Sequence, residues 1–270
     1  MTTPRLHARI HSGSGDLPLL VLLPSLGTAA EALWSEAAAL MAGYFQIVMV
    51  DLPGHGRSAP NGGPFGIEDL ARATLAAIAP LRGDRLPLVA GVSIGGAITL
   101  SLAQAFGAEI SGGIILNSAA KIGEAAAWLS RADLVLSEGT AALREGSKAR
   151  WFAPGFTEAR PDLSQALLAS LEAADAPSYA ALCAALAHFD LRGSLGAIAH
   201  PLMVIGGNED LATPPASQEE IALAVPGARL LLLDTVAHLA PAEAPGAVAE
   251  AILAYQRGLP QALWPSPQAT

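Results

Sequence analysis

The amino-acid sequence predicts an α/β fold: a mostly parallel, twisted sheet with helices on both faces and a small helical lid. Short aliphatic runs alternate along the chain with longer stretches of helical period that are rich in alanine and leucine, which is the pattern of a parallel sheet flanked by helices. The run from Ile47 to Val50 is apolar at every position, as a strand covered on both faces must be. With 270 residues, 52% of them hydrophobic, the chain can fill one sizeable core.

The apolar runs place the individual elements. Predicted strands are Leu19–Leu23, Gln46–Val50, Leu88–Gly91, Gly113–Leu116, Leu202–Ile205 and Arg229–Leu233, with a further strand at one sheet edge, Leu6–Ile10. Between them the helical period predicts Ala30–Met41, Ile67–Ala79, Gly95–Phe106, Gln218–Ala224 and Pro245–Gln256. This order of elements repeats strand and helix, as a parallel sheet requires.

The alternation stops between Asn117 and Gly193, a stretch with no convincing strand. Amphipathic helices are predicted there at Leu163–Leu171 and at Ser178–Phe189, the second capped by Ser178. We expect residues 119–193 to form a lid inserted into a core made of residues 1–118 and 194–270. Such a block would cover the carboxyl ends of the strands, where ligands bind in open α/β sheets. The final twelve residues, with three prolines, are expected to form a loosely held tail.

Composition limits the possible partners. A net charge of −9 gives no general attraction for nucleic acid or an anionic membrane. The single cysteine, Cys183, rules out an internal disulfide and a cysteine-based zinc site, and a lone thiol suits a reducing compartment. Residues 1–15 contain no apolar stretch typical of a signal sequence. We therefore expect a cytoplasmic protein without a metal, a cofactor, a nucleic-acid partner or a membrane partner; the sequence predicts no oligomeric state.

The strongest chemical signal is a serine between glycines. Gly91, Ser93 and Gly95 form a G-x-S-x-G motif between a predicted strand and a predicted helix, which is the setting of a nucleophile on a sharp turn. Side chains at positions 91 and 95 would collide with the neighbouring strand and helix. The alternative is an ordinary glycine-rich turn that contains a serine by chance. The choice between the two interpretations depends on whether the rest of the sequence supplies partners for the serine.

Two partners for that serine follow further along the chain. Asp210 comes after a buried strand and His238 after the last strand, so the order is serine, acid, histidine. A serine hydroxyl attacks when an imidazole takes its proton, and a carboxylate orients that imidazole. The sequence therefore predicts the catalytic residues Ser93, His238 and Asp210, with the adjacent Glu209 as the alternative acid.

Two backbone N–H groups are predicted to stabilise the negative charge of the tetrahedral intermediate. One belongs to Ile94 at the start of the helix behind Ser93, and the other to Leu26 in the loop after the first buried strand. Pro24 has no N–H to donate. We interpret His55 as part of a structural turn between Asp51 and Ser58.

Several segments resemble one family of the α/β-hydrolase fold, the 3-oxoadipate enol-lactonases of bacterial aromatic degradation. The segments are Ser25–Thr28, Gly54–Ser58, Gly91–Gly96, Asn117–Gly123, Arg150–Phe156, Tyr179–Arg192 and Asp210–Pro215, and the resemblance runs from about Leu20 to Tyr255. Position by position, Ser93, Asp210 and His238 match the family's catalytic residues. Pro24 departs from the family's usual polar residue, and the residues after His238 are less polar than usual.

The resemblance implies a small anionic lactone as substrate. Its carboxylate needs a cation, for which Arg150 is the first candidate and Arg131 the second. A solvated helix face that combines Arg144, Lys148 and Arg150 is the alternative. Further expected pocket residues are Ser25, Trp128 and Trp151. Other carboxylesterases, lactonases or cofactor-free perhydrolases of this fold are alternative functions, as is a non-catalytic receptor.

Overall fold

A computed structural model describes residues 3–258 and contains the predicted sheet. Its seven strands run in the order β1-β3-β2-β4-β5-β6-β7, and all neighbouring pairs are parallel except β1 with β3. The strands are β1 Ala8–Ser12, β2 Leu19–Leu23, β3 Gln46–Val50, β4 Leu88–Val92, β5 Gly112–Leu116, β6 Leu202–Gly207 and β7 Arg229–Leu233. The strands β2 to β6 are buried at every position, which confirms the prediction from their apolar sequences.

The edge strand β1 lies two residues later than predicted. The sequence predicted Leu6–Ile10, whereas the strand is Ala8–Ser12 and pairs antiparallel with β3, with a register shift after Ile10. Its residues are half-buried or exposed, so polar side chains are tolerated along it. Apolar periodicity therefore does not fix its boundaries.

Eleven α-helices occur in residues 3–258. They are α1 Ala30–Met41, α2 Ile67–Arg82, α3 Ile94–Ala105, α4 Ala125–Glu138, α5 Arg144–Trp151, α6 Phe156–Ala159, α7 Pro161–Glu172, α8 Ala176–Ala187, α9 Pro215–Ala224, α10 Ala240–Glu243 and α11 Pro245–Gly258. Helix α2 continues past its predicted end through Pro80 to Arg82, although proline has no N–H to donate to the carbonyl four residues earlier. Helix α9 starts at Pro215, before its predicted start, because the fixed φ of proline suits a first helical position.

Helices α4 to α8 lie between β5 and β6, within the segment predicted to form the lid. The predicted pair corresponds to α7 and α8. The predicted cap is wrong: α8 starts at Ala176, and the Asp175 side chain accepts the N–H of Ser178 at 2.9 Å. Ser178 instead lies inside the helix, fully buried. Helix α4 was not predicted because only Ala132 and Val135 are buried along it, too few for a clear apolar stripe.

Hydrogen bonds fasten this helical insertion to loops of the sheet. The Ala29 N–H, after β2, donates to Ser170 Oγ at 2.7 Å, and the Asp175 N–H donates to the Gly54 carbonyl at 2.9 Å. The insertion is therefore held against the end of the sheet where β2 and β3 terminate. The predicted tail lies outside the described residues, and none of the helices in residues 3–258 has the length and apolar character needed to cross a membrane.

Candidate active site

Ser93 lies on a strained turn between β4 and α3. Its φ is 57° and its ψ −115°, a backbone conformation that costs energy for any residue with a side chain. The flanking glycines make the turn possible. A Cβ at Gly91 would lie 2.1 Å from the Gly95 carbonyl oxygen, and a Cβ at Gly95 would lie 2.7 Å from that of Pro24. The steric interpretation of the motif is therefore confirmed at both positions.

Asp210 follows β6 and is almost fully buried. Its Oδ1 accepts the N–H groups of Ala212 at 2.8 Å and Thr213 at 3.0 Å. Its Oδ2 accepts the Thr213 hydroxyl at 2.8 Å and the Asn117 amide at 3.1 Å. Burial opposes ionisation of this carboxyl, but His238 and the Thr213 donors outweigh it and lower the pKa. The side chain is therefore a fixed carboxylate.

His238 follows β7 and is buried against that carboxylate. Its Nδ1 lies 2.9 Å from Oδ2 and 3.0 Å from Oδ1 of Asp210. A carboxylate only accepts, so Nδ1 carries the proton and Nε2 can accept one. Glu209 is exposed and makes no bond to the ring, which favours Asp210 over the alternative acid.

Ser93 and His238 line one cavity of about 310 Å³. No hydrogen bond joins the two side chains within residues 3–258, where the ring contacts Asp210 and Thr213. Such bonds are often long in unliganded enzymes and tighten when a substrate binds. The geometry therefore pairs the imidazole with the acid and presents both the hydroxyl and the imidazole to the same space.

The loop after β2 forms another wall of the cavity through Ser25 and Leu26. The N–H of Gly27 donates to His55 Nε2 at 3.1 Å, and that of Thr28 to the Ser25 carbonyl at 3.0 Å. By contrast, the N–H groups of Leu26 and Ile94 have no acceptor in the described part of the chain. Two free donors beside the serine could bind a developing oxyanion.

His55 is a structural residue, as predicted. Its ring is buried, accepts the Gly27 N–H, and donates from Nδ1 to the Pro53 carbonyl at 2.8 Å. Burial lowers its pKa, which favours the neutral form that these two bonds require. His55 therefore fixes the loop that contains Leu26.

The helical insertion supplies much of the remaining cavity lining. All five residues that the resemblance suggested for the substrate line the cavity: Ser25, Trp128, Arg131, Arg150 and Trp151. Apolar neighbours include Leu26, Ile122, Ala127, Leu211 and Ala212. The cavity is thus mixed in character, with a serine and an imidazole at the sheet and tryptophan and arginine on the insertion.

The two arginines of the cavity differ from the other arginines of the insertion. The Arg131 guanidinium lies 5.4 Å from the centre of a Trp128 ring and donates to the Tyr179 hydroxyl at 3.4 Å. Neither Arg131 nor Arg150 forms an ion pair with any of the described carboxylates, whereas Arg144 pairs with Glu172. Lys148 and Arg150 are both exposed, and the Arg144–Glu172 pair lies at the surface, so the arrangement is also compatible with the alternative of a solvated helix face.

Sequence reasoning missed three residues that hold the site together. Asn117, with a φ of 44°, donates from Nδ2 to Asp210 and to the Ala237 carbonyl at 2.8 Å. Thr213 donates twice to Asp210, and Glu243 accepts N–H groups on both sides of His238. Asn117 follows a buried strand at the same sheet edge as Ser93, and that position was the available signal.

Comparison with known proteins now defines the class. Residues 20–251 match the model of the alpha/beta hydrolase family, and the chain belongs to this family. Over 91% of each chain it is 33% identical to 3-oxoadipate enol-lactonase 2 of Acinetobacter baylyi. Its structure is similar to the crystal structure of the enol-lactonase from Burkholderia xenovorans LB400, with a TM-score of 0.88, 32% identity, and 93% and 96% of the two chains covered. A hydrolase from Pseudomonas aeruginosa PA01 gives the same TM-score at 30% identity, with 93% of this chain and 94% of that chain covered. This chain is therefore a hydrolase, similar to enol-lactonases.

Proposed function

We propose that this hydrolase opens 3-oxoadipate enol-lactone to 3-oxoadipate through an acyl-enzyme on Ser93. The observation that carries the proposal is one cavity in which a serine and a carboxylate-paired imidazole share the space with two arginines that have no acidic partner among residues 3–258. A serine activated by an imidazole suits an ester or lactone, and guanidinium groups without an ion-pair partner among the described residues suit a substrate carboxylate. The similarity to enol-lactonases supports the same substrate class.

In the proposed mechanism, Ser93 Oγ attacks the lactone carbonyl while His238 Nε2 takes its proton. The N–H groups of Leu26 and Ile94 bind the oxyanion, and Asp210 stabilises the imidazolium. The ring C–O bond then breaks, and His238 returns the proton to the departing enol oxygen. Water, activated by His238, hydrolyses the acyl-enzyme, and the released enol tautomerises to the ketone.

The substrate's carboxylate is proposed to bind between Arg131 and Arg150. Trp128 and Trp151 would flank the ring, and Ser25 lies beside Leu26. We propose that the reaction takes place in the cytoplasm. The proposed steps use only side chains and backbone N–H groups of this chain, so they need neither a metal nor a cofactor. No group of three or more potential metal-ligating side chains occurs in residues 3–258.

The test is a spectrophotometric assay of the purified protein on the enol-lactone beside neutral lactones and simple aryl esters. We expect the enol-lactone to have the highest kcat/KM. Ser93→Ala should lower kcat by about five orders of magnitude or more while leaving ligand binding, because removal of a serine nucleophile has an effect of that size. A simple ester as the best substrate would make the protein a general esterase; unchanged activity in Ser93→Ala would refute the mechanism.

A further inference from the structure

The carboxylate of Glu243 joins the loop of His238 to the helical insertion. Glu243 lies at the end of α10, and its Oε1 accepts the N–H groups of Ala237 and Leu239, both at 3.2 Å. Its Oε2 accepts the N–H of Ala153, just beyond α5, at 2.8 Å. Two of these donors are the neighbours of His238 in the chain, and the third belongs to the insertion.

This carboxylate has no cationic side chain within ion-pair distance among the described residues. Burial raises its pKa, while the three N–H donors and the nearby His238 oppose that rise. A partly buried carboxylate that is bound only by backbone N–H groups keeps those groups in place, because the loss of any one of these bonds would leave a polar group without a partner. The Glu243 side chain therefore fixes three separate points of the backbone.

A second hydrogen bond also joins the loop of His238 to the helical insertion. The N–H of His238 donates to the carbonyl of Trp151 at 3.2 Å. The ring of Trp151 also packs against the loop of Leu26, where a Cβ on Gly27 would lie 3.2 Å from it. The wall that contains Trp151 is thus tied to the loop of the imidazole and touches the loop of the expected oxyanion donor.

Capping of the short helix α10 is a simpler role for Glu243, because Leu239 immediately precedes that helix. Capping accounts for the bond to the Leu239 N–H. It does not account for the Ala153 N–H, which lies ninety residues away along the chain and contributes nothing to α10. The third bond indicates a role that extends beyond one helix end.

We propose that Glu243 is a positioning residue: it fixes the loop of His238 against the insertion and so sets the approach of the imidazole to Ser93. This role rests on the proposed function of Ser93 and His238. It does not depend on the identity of the substrate, because the first proton transfer is common to esters and lactones.

The experiment compares Glu243→Gln and Glu243→Ala with wild type and with Glu250→Gln, which changes an exposed glutamate on α11. For each protein we would measure kcat and KM on 4-nitrophenyl acetate, the rate constant at which a fluorophosphonate modifies Ser93, the fraction of chains modified, and the melting temperature. Glutamine keeps one acceptor oxygen and the size of the side chain, so this variant should fold even if the alanine variant does not.

For Glu243→Gln we expect kcat/KM to fall roughly ten- to a hundredfold, mainly in kcat, as for loss of a hydrogen bond to a charged group. The rate constant of serine modification should fall in parallel while nearly every chain remains modifiable. Behaviour equal to that of Glu250→Gln would overturn the proposal. The proposal would also be overturned if kcat fell only because fewer chains of Glu243→Gln could be modified, with the rate constant of modification unchanged. That result would show that the substitution lowers stability and does not alter the approach of the imidazole to Ser93. If the wild-type protein did not turn over the enol-lactone, the proposed substrate would be refuted. The comparison of the Glu243 variants would still be valid, because it is measured on 4-nitrophenyl acetate.

Discussion

The end of the sheet and the helical insertion present different kinds of polar group to the cavity. At the sheet, Asp210 is buried and accepts four hydrogen bonds besides that of His238. On the insertion, Arg131 touches a ring and a hydroxyl, and Arg150 is exposed and has no acidic partner in the described part of the chain. A side chain whose hydrogen bonds are all made within the protein is held in one position, which suits a fixed chemical step. A cation without an acidic partner among the described residues is available to bind a ligand. Under the proposed function, the sheet would set the reaction type and the insertion would set the preferred substrate.

Replacement of the acid tests the sheet side and should have a larger effect than replacement of either cavity arginine or of the cysteine. Asp210→Asn keeps the shape but no longer requires the proton on His238 Nδ1, so the wrong tautomer can form. We expect kcat to fall by about four orders of magnitude, measured on both the enol-lactone and an aryl ester. Glu209→Gln is the matched control, because that exposed neighbour does not contact the ring; a comparable loss in the control would show that Asp210 has no special role.

Replacement of the arginines tests the insertion side. Arg131→Met and Arg150→Met should each raise KM for the anionic lactone by roughly ten- to a hundredfold, the size of a lost charge-assisted bond. KM for a neutral ester should hardly change. Arg131 should have the larger effect, because Trp128 and Tyr179 hold its guanidinium in place.

Arg144→Met is the control for loss of one positive charge, since Arg144 pairs with Glu172 outside the cavity. Equal losses on anionic and neutral substrates in the Arg131 and Arg150 variants would mean that the insertion contributes structure and no charge recognition.

The lone thiol should give the smallest effect. Cys183 is fully buried on α8, and burial raises its pKa to about 12, against a smaller opposing effect of Arg131. A thiol in that state is not a nucleophile. We expect a disulfide reagent to leave the native protein unmodified at pH 8 and to modify one thiol after denaturation, and Cys183→Ala to retain most of its activity. Rapid modification of the native thiol with loss of turnover would contradict this.

Much of the fold could be predicted because its signals are local. The strands β2, β3 and β7 have the predicted bounds, and the glycines around Ser93 collide with neighbours once a Cβ is added. The site residues that were not predicted depend on contacts between positions far apart in the sequence. The position of Asn117 after a buried strand indicates a place at the sheet edge but no bond to Asp210, 93 residues away, and Glu243 meets Ala153 across 90 residues. Helix α4 packs along α8 with few buried positions, so its period is weak.

The most direct test of the central claim is mass spectrometry of the protein after brief exposure to a fluorophosphonate. The account predicts one adduct per chain, located on the peptide that contains Ser93, with activity lost in proportion to its formation. Ser93→Ala should give no adduct, and Asp210→Asn should react far more slowly than wild type. An adduct on another residue that abolishes activity, or full activity with Ser93 modified, would contradict the assignment of the nucleophile.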